Sequence, residues 1–261
     1  MNSFAKIWIR NIIPYMICLI YLTNSKICFS QLPLITDNTG IQGKGNGQFE
    51  ISNGVGFHNE HRCIENSAEI SPVFTYGINN KSDIVLCYPF LFSTILNDTG
   101  ETKSAGFSDL SIEVKCQFLK YKSISFAIKP GVTFPSGNYQ DGLGSGKFSG
   151  TIFFIATAEF TSFIINGNLG YLRNENKCGD ALNIWHASVD IDCKLSKEFH
   201  FVLNSGIEKN PDISVHTNPV FGLLGLYYCI SDKCEISLGY DHDFKQGETN
   251  HSFIYGLTFR F

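Results

Sequence analysis

The strongest constraint on the fold is an alternation of apolar and polar residues that recurs along most of the chain. In residues 252–261, aromatic and aliphatic side chains take one phase and small or polar ones the other, with Ile254 the one exception. A period of two places alternate side chains on opposite faces of a β-strand. Twelve such stretches follow one another, so the sequence predicts an all-β protein. The predicted strands lie at residues 47–58, 64–77, 82–94, 110–118, 124–134, 148–160, 163–173, 187–195, 198–208, 218–230, 234–241 and 252–261.

The lengths of the connections favour a membrane barrel over a soluble β-sandwich, which would show the same alternation. Short turns and longer polar connections follow one another in turn along the chain. Outer-membrane barrels have this asymmetry, with short periplasmic turns and long external loops. An even strand number would place both ends on the periplasmic side. The predicted long connections lie at residues 95–106, 135–147, 174–184 and 209–217.

A membrane barrel also accounts for the apolar phase of the strands. The most apolar stretch, residues 152–160, contains Thr157 and Glu159, so we predict no membrane helix after the N-terminal region. In lipid every backbone amide needs a partner, so a membrane-spanning sheet has to close on itself. We therefore predict a transmembrane antiparallel up-and-down β-barrel of about 12 strands, in the bacterial outer membrane.

The N-terminal residues, 1–30, have the form of a secretory signal peptide. Lys6 and Arg10 make its start basic, and residues 12–22 are apolar. That run is shorter than the roughly 20 apolar residues that a membrane helix needs. We predict that this segment is removed and that residues 31–261 form the barrel.

Charge and cysteine content exclude two other classes of protein. Without the predicted signal peptide, the chain keeps 24 acidic against 17 basic residues. A nucleic-acid-binding protein would show the opposite balance, so nucleic acid is not an expected partner. Seven cysteines remain at irregular spacing, and we expect no disulfide framework. Whether Cys229 and Cys234 pair across a predicted turn stays open.

Charged residues are concentrated in the phase that we expect to face the lumen. A polar, net-acidic lumen would favour cations or neutral solutes over anions. The alternative is a salt-bridged interior that fills the barrel. The predicted lumen-lining residues are Glu50, Glu69, Glu113, Lys115, Lys129, Glu159, Asp190, Asp192, Lys194, Glu208, Glu235, Asp241 and Arg260. Small residues in the same phase favour an open channel. They are Ser52, Gly54, Ser125, Gly131, Ser237, Gly239 and Gly256.

The connection at residues 135–147 is rich in glycine and is a candidate constriction loop, although an ordinary flexible loop has the same composition. Its glycines are Gly137, Gly142, Gly144 and Gly146. No helical pattern follows, so the loop lacks the context of a phosphate-binding site.

We expect neither an enzyme nor a cofactor or metal site. His186 and Ser188 lie two residues apart on one predicted strand, but no nucleophile elbow is present. His58, His61 and Cys63 are close in sequence and have no evident fourth ligand.

Two stretches resemble a known family. Residues 106–118 begin Gly-Phe-Ser-Asp-Leu, and residues 129–148 contain Lys-Pro-Gly and then Pro-Ser-Gly followed by Gly-Leu-Gly-Ser-Gly. These motifs are similar to those of the MetA-pathway of phenol degradation family. The resemblance implies an outer-membrane channel or transporter. The sequence departs from the family pattern at Asn138 and Tyr139, where an acidic residue is common, so we infer no substrate specificity from this loop.

The chain stops on a strand with aromatic residues in alternate positions up to Phe261. Such an end resembles the signal that the barrel-assembly machinery recognises in outer-membrane proteins. Expected partners are therefore this machinery, outer-membrane lipids and small-molecule solutes. The predicted function is a channel or transporter that passes small solutes, including hydrophobic or aromatic ones, by passive diffusion. A closed structural or adhesion barrel without transport is the alternative.

Overall fold

In the computed structural model, the stretches of alternating polarity form a single antiparallel sheet. The structure describes residues 32–60, 63–98, 100–244 and 248–261. The predicted signal peptide lies outside these residues. The strands are β1 (Gly47–Glu60), β2 (Cys63–Asn79), β3 (Ser82–Cys87), β4 (Phe90–Asn97), β5 (Gly100–Phe107), β6 (Leu110–Tyr121), β7 (Ile124–Phe134), β8 (Ser149–Glu159), β9 (Phe163–Arg173), β10 (Asn183–Lys194), β11 (Phe199–Glu208), β12 (Val220–Ser231), β13 (Cys234–Asp243) and β14 (Glu248–Arg260).

The sheet closes because β1 pairs with β14 on one side and with β2 on the other. Strands β3 and β4 both pair with β2 and together make the third strand of the barrel. The interruption contains Pro89, which has no N–H to donate to a ladder. Strands β5 and β6 make the fourth strand in the same way, interrupted at Ser108 and Asp109. The result is a closed barrel of twelve antiparallel strands, as predicted.

The two faces of the sheet have the polarity that a membrane barrel requires. On β13, Glu235 is 1% exposed, whereas Leu238 on the opposite face is 55% exposed. Large apolar side chains take the outward phase of the other strands as well, including Phe253 and Tyr255 of β14. Apolar groups therefore face lipid, and polar groups are enclosed.

One predicted connection is wrong. Residues 95–106 are not a loop, since β4 and β5 form a hairpin whose pairing runs from Phe90 and Phe107 to Asn97 and Gly100. The ladder between β6 and β7 ends at the pair Leu110 and Phe134. The β4–β5 hairpin extends beyond that level. Polar side chains occur on both of its faces, so it has no alternation to detect.

The long connections lie at one end of the barrel, at residues 135–148, 174–182 and 209–219. The first contains a single 3-10 turn at Tyr139–Asp141. At the opposite end, turns of two to four residues join β2 to β3, β6 to β7, β8 to β9, β10 to β11 and β12 to β13. Across the described parts of the chain, no helix is long and apolar enough to cross a membrane.

Candidate functional site in the barrel lumen

Residues 32–46, which we call the N-terminal segment, lie inside the barrel. The backbone N–H groups of Ile35 and Thr36 both donate to Asn204 Oδ1, at 2.9 and 3.1 Å. Asn204 Nδ2 donates in return to Thr36 Oγ1 at 2.6 Å. Asn204 shares the inward phase of β11 with buried Val202, so these bonds are made on the inner wall.

Further along, the N-terminal segment follows this wall towards β1. Thr39 N donates to Thr157 Oγ1 of β8 at 3.0 Å, and the Thr39 hydroxyl lies 2.5 Å from Ser125 Oγ of β7. Gln42 N then donates to Asp83 Oδ2 of β3 at 2.9 Å. The segment therefore contacts successive sides of the barrel before its chain enters the first strand.

Glycines on the inner wall make room for the start of the segment. A Cβ at Gly225 of β12 or Gly239 of β13 would collide with the ring of Pro33, and one at Gly256 of β14 would collide with Leu32. The contacts with Gly225 and Gly239 lie near the middle of β12 and β13, whereas Ser125, Thr157 and Asp83 lie next to short turns, at the end that is periplasmic in outer-membrane barrels. The N-terminal segment thus occupies the lumen from about mid-height to its periplasmic end.

Asp37 forms the most highly charged contact of the segment. Its carboxylate accepts from Lys115 Nζ at 2.8 Å and lies 2.9 Å from Lys129 Nζ. Lys129 Nζ is also 3.2 Å from Glu113 Oε2. In the amide orientation that satisfies both groups, Asn168 donates to the Asp37 carbonyl and accepts from its N–H. Two ammonium groups from the wall thus converge on one carboxylate from the segment.

Electrostatics keep this carboxylate ionised. Burial raises the pKa of Asp37, but the charges and hydrogen bonds of Lys115 and Lys129 outweigh it and lower the pKa to about 2. The side chain of Lys115 is only 4% exposed. A buried ammonium without a partner is costly, so the pair holds the segment and the wall together.

Two other networks fill the periplasmic half. His200 Nδ1 lies 2.7 Å from Asp192 Oδ1, and the Tyr227 hydroxyl donates to Asp192 Oδ2 at 2.5 Å. Arg260 of β14 reaches Glu235 of β13, with 3.4 Å between Nη2 and Oε2. These contacts link β10 to β11 and β12, and β13 to β14.

The extracellular half of the lumen is more accessible. Glu208 is 44% exposed, and Glu69 is also exposed. Three rings line this region: His186 packs edge-on to Phe153, with centroids 5.9 Å apart, and parallel to Phe221, at 6.0 Å. Rings and carboxylates therefore face the space above the N-terminal segment.

The family model described as "Putative MetA-pathway of phenol degradation" matches residues 74–261, more than half of the chain. The chain belongs to this family. The match confirms the resemblance carried by the two motif stretches. No curated protein matches the sequence.

Solved structures of outer-membrane barrels share the fold. An outer membrane channel from Pseudomonas putida F1 has a TM-score of 0.64 and 10% identity, covering 88% of this chain and 99% of that one. The translocator domain of the autotransporter NalP from Neisseria meningitidis has a TM-score of 0.55 and 9% identity, covering 84% and 90%. The NanC porin has a TM-score of 0.54 and 11% identity, covering 80% and 98%. This family member is accordingly an outer-membrane β-barrel, and the comparisons point to no enzyme family.

The residues predicted to line the lumen divide into a buried and an accessible group. All of them share the phase of inward neighbours on their strands. Those that are buried are Glu50, Lys115, Asp190, Asp192 and Glu235. Those that are partly or fully accessible are Glu69, Glu113, Lys129, Glu159, Lys194, Glu208, Asp241 and Arg260. That these side chains act on a solute remains a prediction.

The sequence alone did not identify Asp37, which contacts two of the predicted lumen residues, Lys115 and Lys129. Asp37 lies outside every predicted strand, and no periodicity marks the N-terminal segment. Asp83 and Tyr227 were also missed, although their strand phase gave a usable signal.

The structure bears on the disulfide and the metal site that were considered from the sequence. Cys229 and Cys234 do not form a disulfide with each other, because the register places Cys229 opposite Glu235 and Cys234 opposite Ser231. Within the described ranges, no group of three or more His, Cys, Asp or Glu is arranged to hold a metal ion. His61, considered in the sequence, lies outside those ranges.

The glycine-rich loop is anchored to the barrel by Asp109. One carboxylate oxygen accepts from Gly137 N at 2.9 Å, and the other accepts from the N–H and hydroxyl of Ser145, both at 2.7 Å. A Cβ at Gly144 would collide with this carboxylate. Leu143 is buried against Gly106, which lies in the inward phase of β5. The loop is thus folded onto the extracellular rim. Its role as a constriction remains a prediction.

We expect Asp109→Ala to loosen residues 135–147, because three hydrogen bonds to one carboxylate are lost at once. Such bonds contribute about 1.5–3 kcal/mol each when buried, and less here because the site is partly exposed. Amide hydrogen exchange at Gly137 and Ser145 should rise by at least about ten-fold. Asp141→Ala, in the same loop, is the control. Unchanged exchange in Asp109→Ala would show that the loop is held by packing alone.

Proposed function

We propose that this family member is a channel for small solutes, including hydrophobic or aromatic ones, which cross by passive diffusion through a polar, net-acidic lumen. The observation that carries the proposal is the accessible extracellular half of the lumen, where carboxylates and aromatic rings line a closed barrel with an apolar exterior. Two proteins of the same fold are, by their names, an outer membrane channel and a porin.

The N-terminal segment would set the width of the pathway. Its contacts to the wall are mainly hydrogen bonds to side chains and one charged cluster, rather than a continuous strand ladder. A segment held in this way is able to move without breaking the barrel. The same filled periplasmic half also favours the second candidate, a closed structural or adhesion barrel.

Planar-bilayer recordings distinguish the two candidates. In a KCl gradient we expect currents whose reversal potential shows a preference for cations, because accessible carboxylates line the extracellular half. Replacing both Glu69 and Glu208 by Gln should shift the reversal potential towards zero. Glu101→Gln, an exposed residue in the outward phase of β5, is the matched control and should leave it unchanged.

Liposome swelling then measures uptake of neutral solutes by the same protein. If neither currents nor swelling is observed, the channel proposal fails and the closed barrel stands.

A further inference from the structure

Lys115 and Lys129 form a carboxylate-binding site that the protein itself fills. Their ammonium groups lie 2.8 and 2.9 Å from the two oxygens of Asp37. Asp37 belongs to a segment that is not part of the barrel wall, whereas both lysines are fixed on β6 and β7. The wall thus presents two cations, and the N-terminal segment supplies a carboxylate in the manner of a bound ligand.

The burial of the two lysines explains why a carboxylate occupies the position between them. Lys115 is almost fully buried, and Lys129 is 16% exposed. Glu113 contacts Lys129, whereas Lys115 donates to Asp37 and is also acted on by the charges of Glu50 and Asp83. Removal of Asp37 would therefore leave the buried Lys115 ammonium without a carboxylate at hydrogen-bond distance. Movement of the segment is therefore favoured when another carboxylate takes the place of Asp37.

The residues beside the lysines form a surface suited to contact with an aromatic ring. Lys129 pairs with Phe153, Phe153 with Gly170, and Gly170 with His186, so these residues form one row across β7 to β10. Lys129 Nζ lies 5.6 Å from the centre of the Phe153 ring. Gly170 has no side chain, and the Phe153 ring lies over it. Phe221, which is 6% exposed, packs on the far side of His186, with 6.0 Å between the two ring centres.

We propose that this row is a binding site for aromatic carboxylates, with the solute's carboxylate on Lys115 and Lys129 and its ring against Phe153 and His186. Asp37 occupies the carboxylate position when no such solute is bound. The inference rests on the proposed channel function and specifies one substrate class for it. The proposed site takes an anion although the extracellular half of the lumen is expected to prefer cations, because the two lysines would contact the solute's carboxylate directly.

Calorimetric titration of the purified, detergent-solubilised barrel with benzoate tests the site. We expect Asp37→Asn to bind benzoate about ten-fold more tightly than the unaltered protein, because the internal competitor has lost its charge while its shape is kept. Benzamide, which has the same shape without the charge, should bind Asp37→Asn at least about ten-fold more weakly than benzoate. Acetate, which lacks the ring, should also bind more weakly.

Two double variants assign the binding to the lysines. In Asp37→Asn with Lys115→Met, and in Asp37→Asn with Lys129→Met, benzoate binding should fall by at least about ten-fold relative to Asp37→Asn. The first of them leaves no ammonium at position 115, and in it Lys129 keeps its contact with Glu113. Lys120→Met in the Asp37→Asn background, at an exposed lysine near a short turn, is the control and should retain binding.

Equal affinity for benzoate and benzamide would overturn the inference, and so would benzoate binding that survives both lysine replacements. Absence of benzoate binding to Asp37→Asn would do the same. Bilayer currents from the same preparations separate this result from the broader proposal. Currents without a benzoate site contradict only the inference, whereas loss of all currents and swelling contradicts the channel itself.

Discussion

Deletion of residues 33–43 is expected to raise the single-channel conductance several-fold. The deleted residues lie in the lumen between about mid-height and the periplasmic end, whereas the ladders of the wall join strands that begin at Gly47. The barrel should therefore close as before around a wider pathway. Single-channel recording in planar bilayers measures the change, and heat-modifiable migration on gels checks that the barrel is folded.

A replacement of the same length separates contacts from chain length. If residues 33–43 are exchanged for Gly and Ser, the contacts of Pro33 and Asp37 are lost although the chain remains. This variant should conduct nearly as well as the deletion. A conductance equal to that of the unaltered protein in both variants would show that the N-terminal segment does not limit the pathway.

The second large effect is expected from Asp37→Ala. Removing one partner of a buried ion pair costs about 3–5 kcal/mol, because the other charge is left without compensation. In this protein the loss destabilises the attachment of the N-terminal segment to the wall. The segment can then leave the wall, and water can reach Lys115 and Lys129. Hydrogen exchange at Thr36 N and Thr39 N, which donate to wall residues, should increase by at least about a hundred-fold.

Asp232→Ala, at an exposed short turn, is the control for that measurement. A partial return of protection is expected in Asp37→Ala with Lys115→Met, since this pair of changes leaves one buried charge fewer. Protection that stays as in the unaltered protein would mean that the hydrogen bonds of Thr36 and Thr39 hold the segment without Asp37.

Lowering the pH from 7 to 4 should not release the N-terminal segment in the way that Asp37→Ala does. The pKa of Asp37 is lowered to about 2, below the ordinary value of about 3.9 for an unfolded aspartate. Its charged form therefore stabilises the folded segment above pH 4, and this contribution is lost as the pH falls towards 2. Exchange at Thr36 measured between pH 7 and pH 4, corrected for intrinsic rates, should stay constant.

The wall of this barrel was predictable because lipid and lumen impose opposite polarity on alternate residues. That rule located the twelve strands and the phase of residues such as Glu235 and Arg260. It failed at residues 95–106, where a hairpin extends past its neighbours and carries polar side chains on both faces. A pattern based on one apolar face carries no information about a strand that has none.

The contents of the lumen were not predictable in the same way. Asp37 and Lys115 are 78 residues apart, and no local pattern relates them. Small inward residues were interpreted as open space, yet Gly239 and Gly256 accommodate Pro33 and Leu32. Sequence alternation specifies which side chains point inward, but only the closed geometry shows what they meet there.

The position of the N-terminal segment also bears on the order of assembly. Residues 32–46 lead directly into β1, which forms a seam with β14 from Gln48 and Arg260 onwards. If that seam forms last, the segment is wrapped by the growing sheet and requires no threading through a finished cylinder. The hydrogen bonds of Thr36 and Thr39 to β11 and β8 then exist before closure. The N-terminal segment would act as an internal template on which the curved sheet is drawn together.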